Sequence, residues 1–325
     1  MYQRWLVTGG AGYIGSHVAN LVKKSNIEVL VIDDLSTGFT KNIDPGVEFI
    51  ELSLLDSNFS QVFKKWAPTT VIHCAGIKYA SLSESDPLLF YEKNTVTSLA
   101  LAKAIRLSRV QNLIFSSSCS VYGNPSSSPV TELTPLTPIS PYGKSKLAAE
   151  ILLRDFSKIS QTNFAAIRYF NVVGNEPGMQ DQSLFNLFPI LKRVFVENRD
   201  FHIYGHDLKT KDGTPVRDYV DVRDVATAHI MVALQMNSTN RSIDPVNLSN
   251  GQGHTVLEIF KEFAKYFPNW TGTLKYEEMR PGDPVSIFGS SELLNSNTGW
   301  VPRFNLSSTI SSVLGSEMNI VSHDH

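Results

Sequence analysis

Cysteine is scarce in this chain, and long apolar runs are missing. The 325 residues include two cysteines, Cys74 and Cys119, each beside an apolar strand-like run, so we expect buried thiols and no disulfide scaffold. No apolar run approaches the ~20 residues that a membrane-spanning helix needs. A net charge of only −2 argues against a nucleic-acid-binding surface. Because a strand-like run follows at once after the first residues, we expect no signal peptide and a cytoplasmic location.

Several common catalytic signatures are missing as well. The sequence contains no zinc-type ligand cluster, no G-x-S-x-G nucleophile elbow and no P-loop. The tail at residues 322–325 is short and polar, and we expect it to be disordered, without a metal. Hydrophobic residues make up 42% of the chain and charged residues 18%, which indicates a globular protein large enough for one or two domains.

Apolar strand patterns alternate with helix patterns over the first ~170 residues, which predicts a parallel sheet covered by helices on both faces. The predicted strands are 4–8, 27–33, 47–51, 70–74, 112–117 and 164–169, and the predicted helices are 14–25, 57–66, 88–107 and 143–159. Residues 124–140 and 206–216 read as loops. We expect a first domain over 1–172, to which a helix at 219–236 and a strand at 245–249 return, and a smaller α/β substrate domain over most of 173–325.

A glycine-rich turn follows the first predicted strand. Gly10, Gly12 and Gly15 form G-x-G-x-x-G between an apolar run and an amphipathic stretch. Such a turn lets the backbone approach a pyrophosphate, and the helix N-terminus supplies N–H donors and a partial positive charge. Asp33 ends the second predicted strand, where an acid can accept hydrogen bonds from the adenosine ribose. Together these features predict a Rossmann-type, doubly wound sheet that binds a dinucleotide.

Two later segments carry candidate catalytic groups. Ser116, Ser117 and Ser118 end the apolar strand at 112–117, and in an open parallel sheet the carboxyl ends of the strands face the ligand crevice. Tyr142 and Lys146 are four residues apart, so on a helix they share one face. A tyrosine is a weak base because its pKa is about 10, but a nearby ammonium and a positive nicotinamide ring would lower that pKa. We therefore predict proton transfer at a sugar hydroxyl, coupled to hydride transfer with a nicotinamide cofactor.

At this level the chain resembles the extended short-chain dehydrogenases/reductases and, within them, the UDP-galactose (UDP-glucose) 4-epimerases. The resemblance covers roughly residues 4 to 315. It is carried by TGGAGYIGSH (8–17), DDLSTG (33–38), VIHCAGIKYASLSESDP (71–87), SSSCSVYG (116–123), PYGKSKLAAE (141–150), RYFNVVG (168–174), DGTPVRDYVDVRDVATAH (212–229) and RPGD (280–283). DGTPVRDY is the segment most particular to 4-epimerases.

The resemblance implies NAD as cofactor and C4 epimerisation of a UDP-hexose through a 4-keto intermediate. It assigns catalysis to Ser118, Tyr142 and Lys146. Tyr142 would take the proton from the C4 hydroxyl, Ser118 would relay it, and Lys146 would bind the nicotinamide ribose. The cofactor would lie on Gly9, Gly12, Tyr13, Ile14, Gly15, Asp33, Lys78, Asn94, Tyr142 and Lys146. The UDP-sugar would lie on Lys78, Ser118, Tyr142, Asn171, Asn186, Tyr204, Arg217, Arg280, Asp283 and Ile287.

Two positions depart from the family pattern. Leu52-Ser53 stands where Gly-Asp is usual, which puts a side-chain contact with adenine in doubt. Asp221 stands where the family usually has histidine, and the residues alone offer no account of that change. By its place after RPGD, Ile287 aligns with a position on the sugar-pocket wall. Its intermediate size predicts activity on UDP-glucose and UDP-galactose, with some activity on the N-acetyl forms; a plain core role for Ile287 is the competing interpretation.

Three other functions remain open on the residues alone. A nucleotide-sugar 4,6-dehydratase would need an acid pair where Cys119-Ser120 stand. An NADPH-dependent reductase would want a basic residue near Asp33, which is followed by a second acid. A non-catalytic NAD sensor would not need all three catalytic residues. The resemblance also implies a homodimer through the helices near 88–107 and 143–159, and we expect no nucleic-acid or membrane partner.

Overall fold

A parallel sheet of seven strands is the largest of the three sheets in the described part of the protein. The computed structural model describes residues 3–179, 181, 186–280 and 282–315. The tail at 322–325 lies outside the described residues. The strands of this sheet are β1 (Arg4–Thr8), β2 (Glu28–Asp33), β3 (Glu48–Glu51), β4 (Thr70–His73), β5 (Asn112–Ser118), β6 (Asn163–Tyr169) and β10 (Val246–Leu248). Each predicted strand is present within about two residues of its predicted ends.

The spatial order of the strands is β10-β6-β5-β4-β1-β2-β3, and every neighbouring pair is parallel. The chain winds outward from β1 in one direction and from β4 in the other, so a crevice opens between the carboxyl ends of these two strands. The doubly wound fold expected from the sequence is confirmed.

Helices cover both faces of the sheet. The helices of the chain are α1 (Tyr13–Lys24), α2 (Phe59–Trp66), α3 (Ala80–Ser83), α4 (Pro87–Tyr91), α5 (Thr97–Arg106), α6 (Pro141–Ser160), α7 (Leu187–Val196), α8 (Val222–Thr239), α9 (Val256–Ala264), α10 (Glu292–Thr298) and α11 (Leu306–Leu314). On one face Val18 of α1 and Val225 of α8 join the apolar core. On the other face Phe63 of α2, Leu101 of α5 and Leu153 of α6 join a second core. The strands are therefore apolar on both sides, as parallel strands between helical layers must be.

Two helix predictions need correction. The single helix predicted over 88–107 is α4 and α5 joined by a π-helical turn at Glu92–Val96, a form that is common near functional sites. The helix predicted from 219 begins only at Val222, because residues 219–221 belong to strand β9 (Val216–Asp221). The Asp221 carboxylate caps α8 by accepting from the Arg223 N–H, so the chain changes from strand to helix at this residue.

The smaller part of the fold lies beyond the carboxyl ends of β5 and β6. Strands β7 (Asn171–Val173), β9, β11 (Gly253–Thr255) and β13 (Ser286–Ile287) form one short sheet, and β8 (Phe201–Tyr204) pairs with β12 (Leu274–Glu277) in another. Aromatic side chains of α7 and α9, among them Phe188, Phe195 and Phe263, pack against one another beneath these sheets. This layer faces the edge where the candidate catalytic residues lie.

Candidate active site

The glycine turn between β1 and α1 is closely packed. Gly9 has a φ of +69° and donates its N–H to the Ile32 carbonyl at 2.8 Å. A Cβ on Gly9 would lie 2.5 Å from the Ala75 nitrogen, and one on Gly15 would lie 2.2 Å from the Gly9 oxygen. Any side chain at either position would push the turn away from the neighbouring backbone, so α1 starts directly above a bare main-chain surface. Such a surface fits a pyrophosphate.

Asp33 lies beside this turn at the end of β2. Its buried carboxylate accepts from the N–H groups of Ala11, at 2.9 Å, and Leu35, at 2.8 Å. Burial raises the pKa of Asp33, and these hydrogen bonds oppose the rise. Asp34 is paired with Lys93 at 3.0 Å. The carboxylate is thus fixed by backbone donors at the end of β2, and an acid at this edge fits a ribose with free hydroxyls, as in NAD.

Asn94 and Lys78 contribute differently to the predicted cofactor wall. Asn94 is buried, accepts from the Ile77 N–H at 2.9 Å and donates to the Ser145 hydroxyl at 2.9 Å. It therefore connects the loop after β4 to α6. Lys78 is half-buried, with its ammonium 5.2 Å from the centre of the Tyr13 ring. Burial lowers the pKa of Lys78, and the Asp181 carboxylate opposes that change.

The three predicted catalytic residues meet at the carboxyl edge of the sheet. Ser118 is the last residue of β5, and its hydroxyl lies beside the Tyr142 phenol and donates to the Ser120 hydroxyl at 3.2 Å. Tyr142 lies in the first turn of α6, whose N-cap Ser140 accepts from the Gly143 N–H at 3.2 Å. The buried Lys146 ammonium donates to the Ser116 carbonyl at 3.0 Å. Ser118 and Tyr142 therefore offer one proton path to a ligand, with a cation one helical turn behind them.

The protein's own groups hold the pKa of Tyr142 above its ordinary value, whereas the lowering expected from the sequence also includes a nicotinamide ring. Burial raises the pKa of Tyr142 to about 12, and the Ser118 hydroxyl beside the phenol works in the opposite direction. Burial also lowers the pKa of Lys146 to about 8. Both shifts have one physical cause, since removal from water disfavours the charged form of each group. The protein's own groups therefore leave this phenol neutral at pH 7, and bound ligands have to supply the remaining stabilisation of the phenolate.

A cavity of about 780 Å³ opens above these residues. Every predicted sugar-nucleotide residue lines it, together with Ile14 of the predicted cofactor set: Lys78, Ser118, Tyr142, Asn171, Asn186, Tyr204, Arg217, Arg280, Asp283 and Ile287. The structure thus brings together residues that are spread over some 270 positions of the chain.

The end of the cavity away from Tyr142 is positively charged. The Arg280 guanidinium lies 3.9 Å from the centre of the Tyr204 ring. Arg217 is 3.9 Å from Asp283 and donates to the Val216 carbonyl at 2.8 Å. Forked guanidinium donors suit a pyrophosphate, and an exposed ring face suits a flat base. Asn186 lies at the N-cap of α7 and is hydrogen-bonded to Asp181.

Some residues that line the charged end of the cavity were not predicted from the sequence. Arg193, Arg199 and His202 also line the cavity. His202 could have been found, because β8 alternates buried and exposed residues and His202 lies two residues before Tyr204, on the same face of the strand. The two arginines follow no comparable pattern.

Ile287 lines the cavity and also belongs to the core. It is 2% exposed and packs in a cluster with Cys119, Val130 and Phe170. Both interpretations offered for this residue therefore have structural support, and they make different predictions for a larger side chain.

The structure explains the two departures from the family pattern. The buried Asp221 carboxylate accepts from the Arg223 guanidinium, at 2.7 and 2.8 Å, and from the Thr309 hydroxyl at 2.8 Å. It thereby connects β9 and α8 to the C-terminal α11. The Ser53 hydroxyl accepts from the Leu55 N–H at 3.2 Å, so it stabilises its own turn.

Other candidate chemistry is not found in the described part of the chain. Cys74 and Cys119 are free thiols, and burial raises the pKa of Cys119 to about 12. No group of three or more histidine, cysteine, aspartate or glutamate side chains is arranged to hold a metal ion among the residues that the structure describes. Within the same residues, no helix has both the length and the apolar character to cross a membrane.

Comparisons with known proteins agree with this geometry. The UDP-glucose 4-epimerase of Lactobacillus helveticus is 38% identical over 305 residues, covering 92% of this chain and 92% of that protein. The crystal structure of a UDP-glucose-4-epimerase from Stenotrophomonas maltophila, with bound NAD and formylated UDP-arabinopyranose, superposes with a TM-score of 0.90 at 30% identity and covers 99% of this chain and 100% of its own. The UDP-Glc/GlcNAc 4-epimerase of Campylobacter jejuni gives a TM-score of 0.83 at 31% identity, over 96% of this chain and 98% of its own.

The characteristic sequence pattern of the NAD dependent epimerase/dehydratase family matches residues 5–247, which include the glycine turn, Ser118, Tyr142 and Lys146. With the doubly wound fold and the relatives just described, this match places the chain in the NAD dependent epimerase/dehydratase family.

Proposed function

We propose that this protein is an NAD-dependent 4-epimerase of UDP-hexoses. The observation that carries the proposal is one cavity with two chemically different ends. One end presents the Tyr142 phenol and the Ser118 hydroxyl, and the other presents the guanidinium groups of Arg217 and Arg280. The first end suits proton transfer at a sugar hydroxyl, and the second suits a nucleoside diphosphate. The activities named for the relatives support the same reaction.

Each catalytic residue has a defined part in this proposal. NAD, when bound, supplies the hydride acceptor and donor for the sugar C4. Tyr142 takes the proton from the C4 hydroxyl and later returns it, and Ser118 hydrogen-bonds the same oxygen. Lys146 lies one helical turn further along α6, and its positive charge favours the phenolate form of Tyr142. Asp33 accepts from the adenosine ribose, and the backbone at Gly9, Gly12 and Gly15 faces the pyrophosphate of the cofactor.

The charged end of the cavity would hold the UDP group. Arg217 and Arg280 donate to the diphosphate, and Asp283 and Asn186 orient these donors or the ribose. Tyr204 stacks on the uracil with one face of its ring, and Arg280 packs over the other face. The cavity, of about 780 Å³, has the size of a small-molecule site, and epimerisation requires that the hexose present either face to Tyr142 within it.

The competing functions have less support. A dehydratase would need carboxyl groups at Cys119-Ser120, and Cys119 is instead a buried thiol whose pKa is raised to about 12. An NADPH-dependent reductase would need a cation for the 2′-phosphate. Lys93, a cation beside Asp34, is already paired with that carboxylate at 3.0 Å.

The direct test is to incubate the purified protein with UDP-glucose, UDP-GlcNAc and UDP-arabinose separately and to resolve the C4 epimers. We expect UDP-galactose from UDP-glucose without added NAD, and release of NAD(H) when the protein is denatured. Tyr142→Phe should keep the cofactor and lose roughly 10²–10⁴ in turnover, the usual contribution of a general base. Turnover that depends on a stoichiometric external reductant would instead identify a reductase.

We further propose a cytoplasmic homodimer. Apolar side chains are exposed on the helices for which the family resemblance implies an interface, with Leu88 of α4 79% exposed and Leu99 of α5 and Ile151 of α6 also exposed. The free thiols are consistent with a reducing compartment. As a separate point on domain organisation, we propose that residues 1–172 and 219–249 bind the cofactor and that most of 173–325 binds the UDP-sugar. Sedimentation analysis of the wild type and of Leu88→Glu tests the dimer.

A further inference from the structure

A buried ion pair lies directly behind the catalytic edge of the sheet. Glu150 of α6 and Arg168 of β6 have side chains that are 0% and 3% exposed. The Arg168 guanidinium donates to both carboxylate oxygens of Glu150, one of them from Nε at 3.1 Å. This is a two-point contact between a helix and a strand, and it fixes direction as well as distance.

Glu150 is linked to the catalytic residues through α6. It lies one helical turn after Lys146 and two turns after Tyr142, so all three side chains are on the sheet-facing side of the helix. The Ser117 hydroxyl of β5 donates to the same carboxylate at 2.8 Å. Ser117 lies between Ser116, whose carbonyl accepts from Lys146, and Ser118, whose hydroxyl lies beside the Tyr142 phenol.

Arg168 extends the network across the sheet. It donates to the Tyr122 hydroxyl at 3.0 Å, which in turn donates to Asn247 of β10 at 2.7 Å. The Asn247 side chain also donates to the Val130 carbonyl at 3.2 Å. Helix α6 is therefore held by directional bonds to β5 and β6, and through them to β10. Glu150, Arg168 and Tyr122 stand behind the cavity wall and do not line the cavity.

Stabilisation of the fold does not by itself account for this buried ion pair. Removing two charges from water is costly, and replacing a buried pair with apolar residues of similar volume is often neutral or stabilising. Apolar contacts, however, set no preferred rotation or translation of a helix, whereas a carboxylate with three donors from two strands does. A misplacement of about 1 Å at reacting groups can lower a rate ~10²-fold.

We propose that Glu150, Arg168 and Ser117 are positioning residues, which set the location of α6 on the sheet and so align Tyr142 and Lys146 with Ser118. This proposal rests on the epimerase function proposed above.

The main test replaces both charges with apolar groups of similar size, in the double variant Glu150→Leu/Arg168→Met. The matched control is Asp155→Asn/Lys158→Gln, which removes an exposed ion pair from the far end of the same helix. For each protein we would measure the melting temperature, retained NAD, and kcat and KM for UDP-glucose. Hydrogen exchange of residues 141–150 would be followed by mass spectrometry.

We expect the double variant to melt at or above the wild-type temperature, to keep NAD, and to lose ~10–100-fold in kcat with KM changed less than ~3-fold. Exchange within 141–150 should be faster than in the wild type, while the control stays at wild-type values throughout. A folded, NAD-loaded double variant with wild-type kcat and wild-type exchange would overturn the positioning role.

Two milder variants keep the proposal testable if the double variant does not fold. Ser117→Ala removes a single hydrogen bond to Glu150. Arg168→Lys keeps the positive charge but loses the two-point contact between the guanidinium and the carboxylate. We expect each to lower kcat several-fold and to speed exchange at 141–150, with Arg168→Lys retaining more activity than Arg168→Met. Unchanged kcat and exchange in both would refute the role. If the wild type turns over no UDP-sugar, the proposed function fails, and the exchange data still decide whether the network holds α6.

Discussion

Replacement of Lys146 by methionine should move the acid limb of the pH–rate profile to higher pH. Lys146 is buried, and Met has a similar length without the charge. The pKa of Tyr142 is raised to about 12, mainly by burial, so phenolate formation near neutral pH depends on positive charge supplied nearby. A positive charge supplied near a partly desolvated phenol favours the phenolate, and a contribution of about 3 kcal/mol corresponds to about two pKa units.

Because kcat on the acid side follows the phenolate fraction, a shift of about two units corresponds to a ~100-fold loss at a fixed pH on that limb. The loss should be recovered as the pH is raised. The wild type should also decline above about pH 8, because burial lowers the pKa of Lys146 to about 8 and the ammonium is then lost. That alkaline decline should be missing in Lys146→Met.

The assay is kcat for UDP-glucose from pH 5 to 10, with the NAD content of each sample measured after denaturation, so that cofactor loss is not mistaken for a pKa effect. Lys144→Met is the matched control, since Lys144 is exposed on the same helix and two residues from Tyr142, where it faces away. An acid limb at the wild-type position in NAD-loaded Lys146→Met would refute the reasoning, as would an equal shift in Lys144→Met.

Three further predictions follow from single contacts. Ser118→Ala should cost as much turnover as Tyr142→Phe if the hydroxyl is an obligatory relay and less if Tyr142 reaches the sugar oxygen directly; comparing the two kcat values with NAD content decides between these. Ile287→Tyr should suppress UDP-GlcNAc turnover selectively if Ile287 bounds the sugar pocket, whereas equal loss on UDP-glucose with a lower melting temperature would show a packing role alone. Burial lowers the pKa of His229 from 6.5 to about 4. Because the unfolded chain then takes up this proton at a higher pH than the folded protein, the free energy of unfolding should decrease by about 3 kcal/mol as the pH falls from 6.5 to 4. Urea unfolding of His229→Gln should show a flatter pH dependence over that range, and an unchanged slope would contradict this.

Much of the fold follows from local features of the sequence. The strands near 4–8, 28–33 and 112–118 were predictable because uninterrupted apolar runs suit strands that are buried on both faces. The turn at Gly9 was predictable because positive φ and close backbone contact favour glycine at any such site. The relation of Tyr142 to Lys146 was predictable because residues four apart share a helix face.

The predictions failed where a distant contact intervened. The expected helix over 88–107 is interrupted by a π turn at the position where Asn94 bonds Ile77 and Ser145. The expected helix at 219 starts late because residues 219–221 belong to strand β9 and pair with β7, which lies far away in the sequence. These contact partners are distant in the sequence from the helices that they interrupt or delay, so no local sequence pattern indicates the contacts.

The sequence by itself determined the doubly wound sheet, the dinucleotide turn and the identity of the groups that can transfer a proton. Only the tertiary structure decided how those groups behave: that burial raises the pKa of Tyr142, that Asn94 is a structural tie, and that Glu150 and Arg168 form a buried pair behind the site. The physical reason is that φ/ψ preference and side-chain periodicity act over a few residues. Desolvation and ion pairing depend on which distant segments exclude water from a group, and that is settled only when the chain packs.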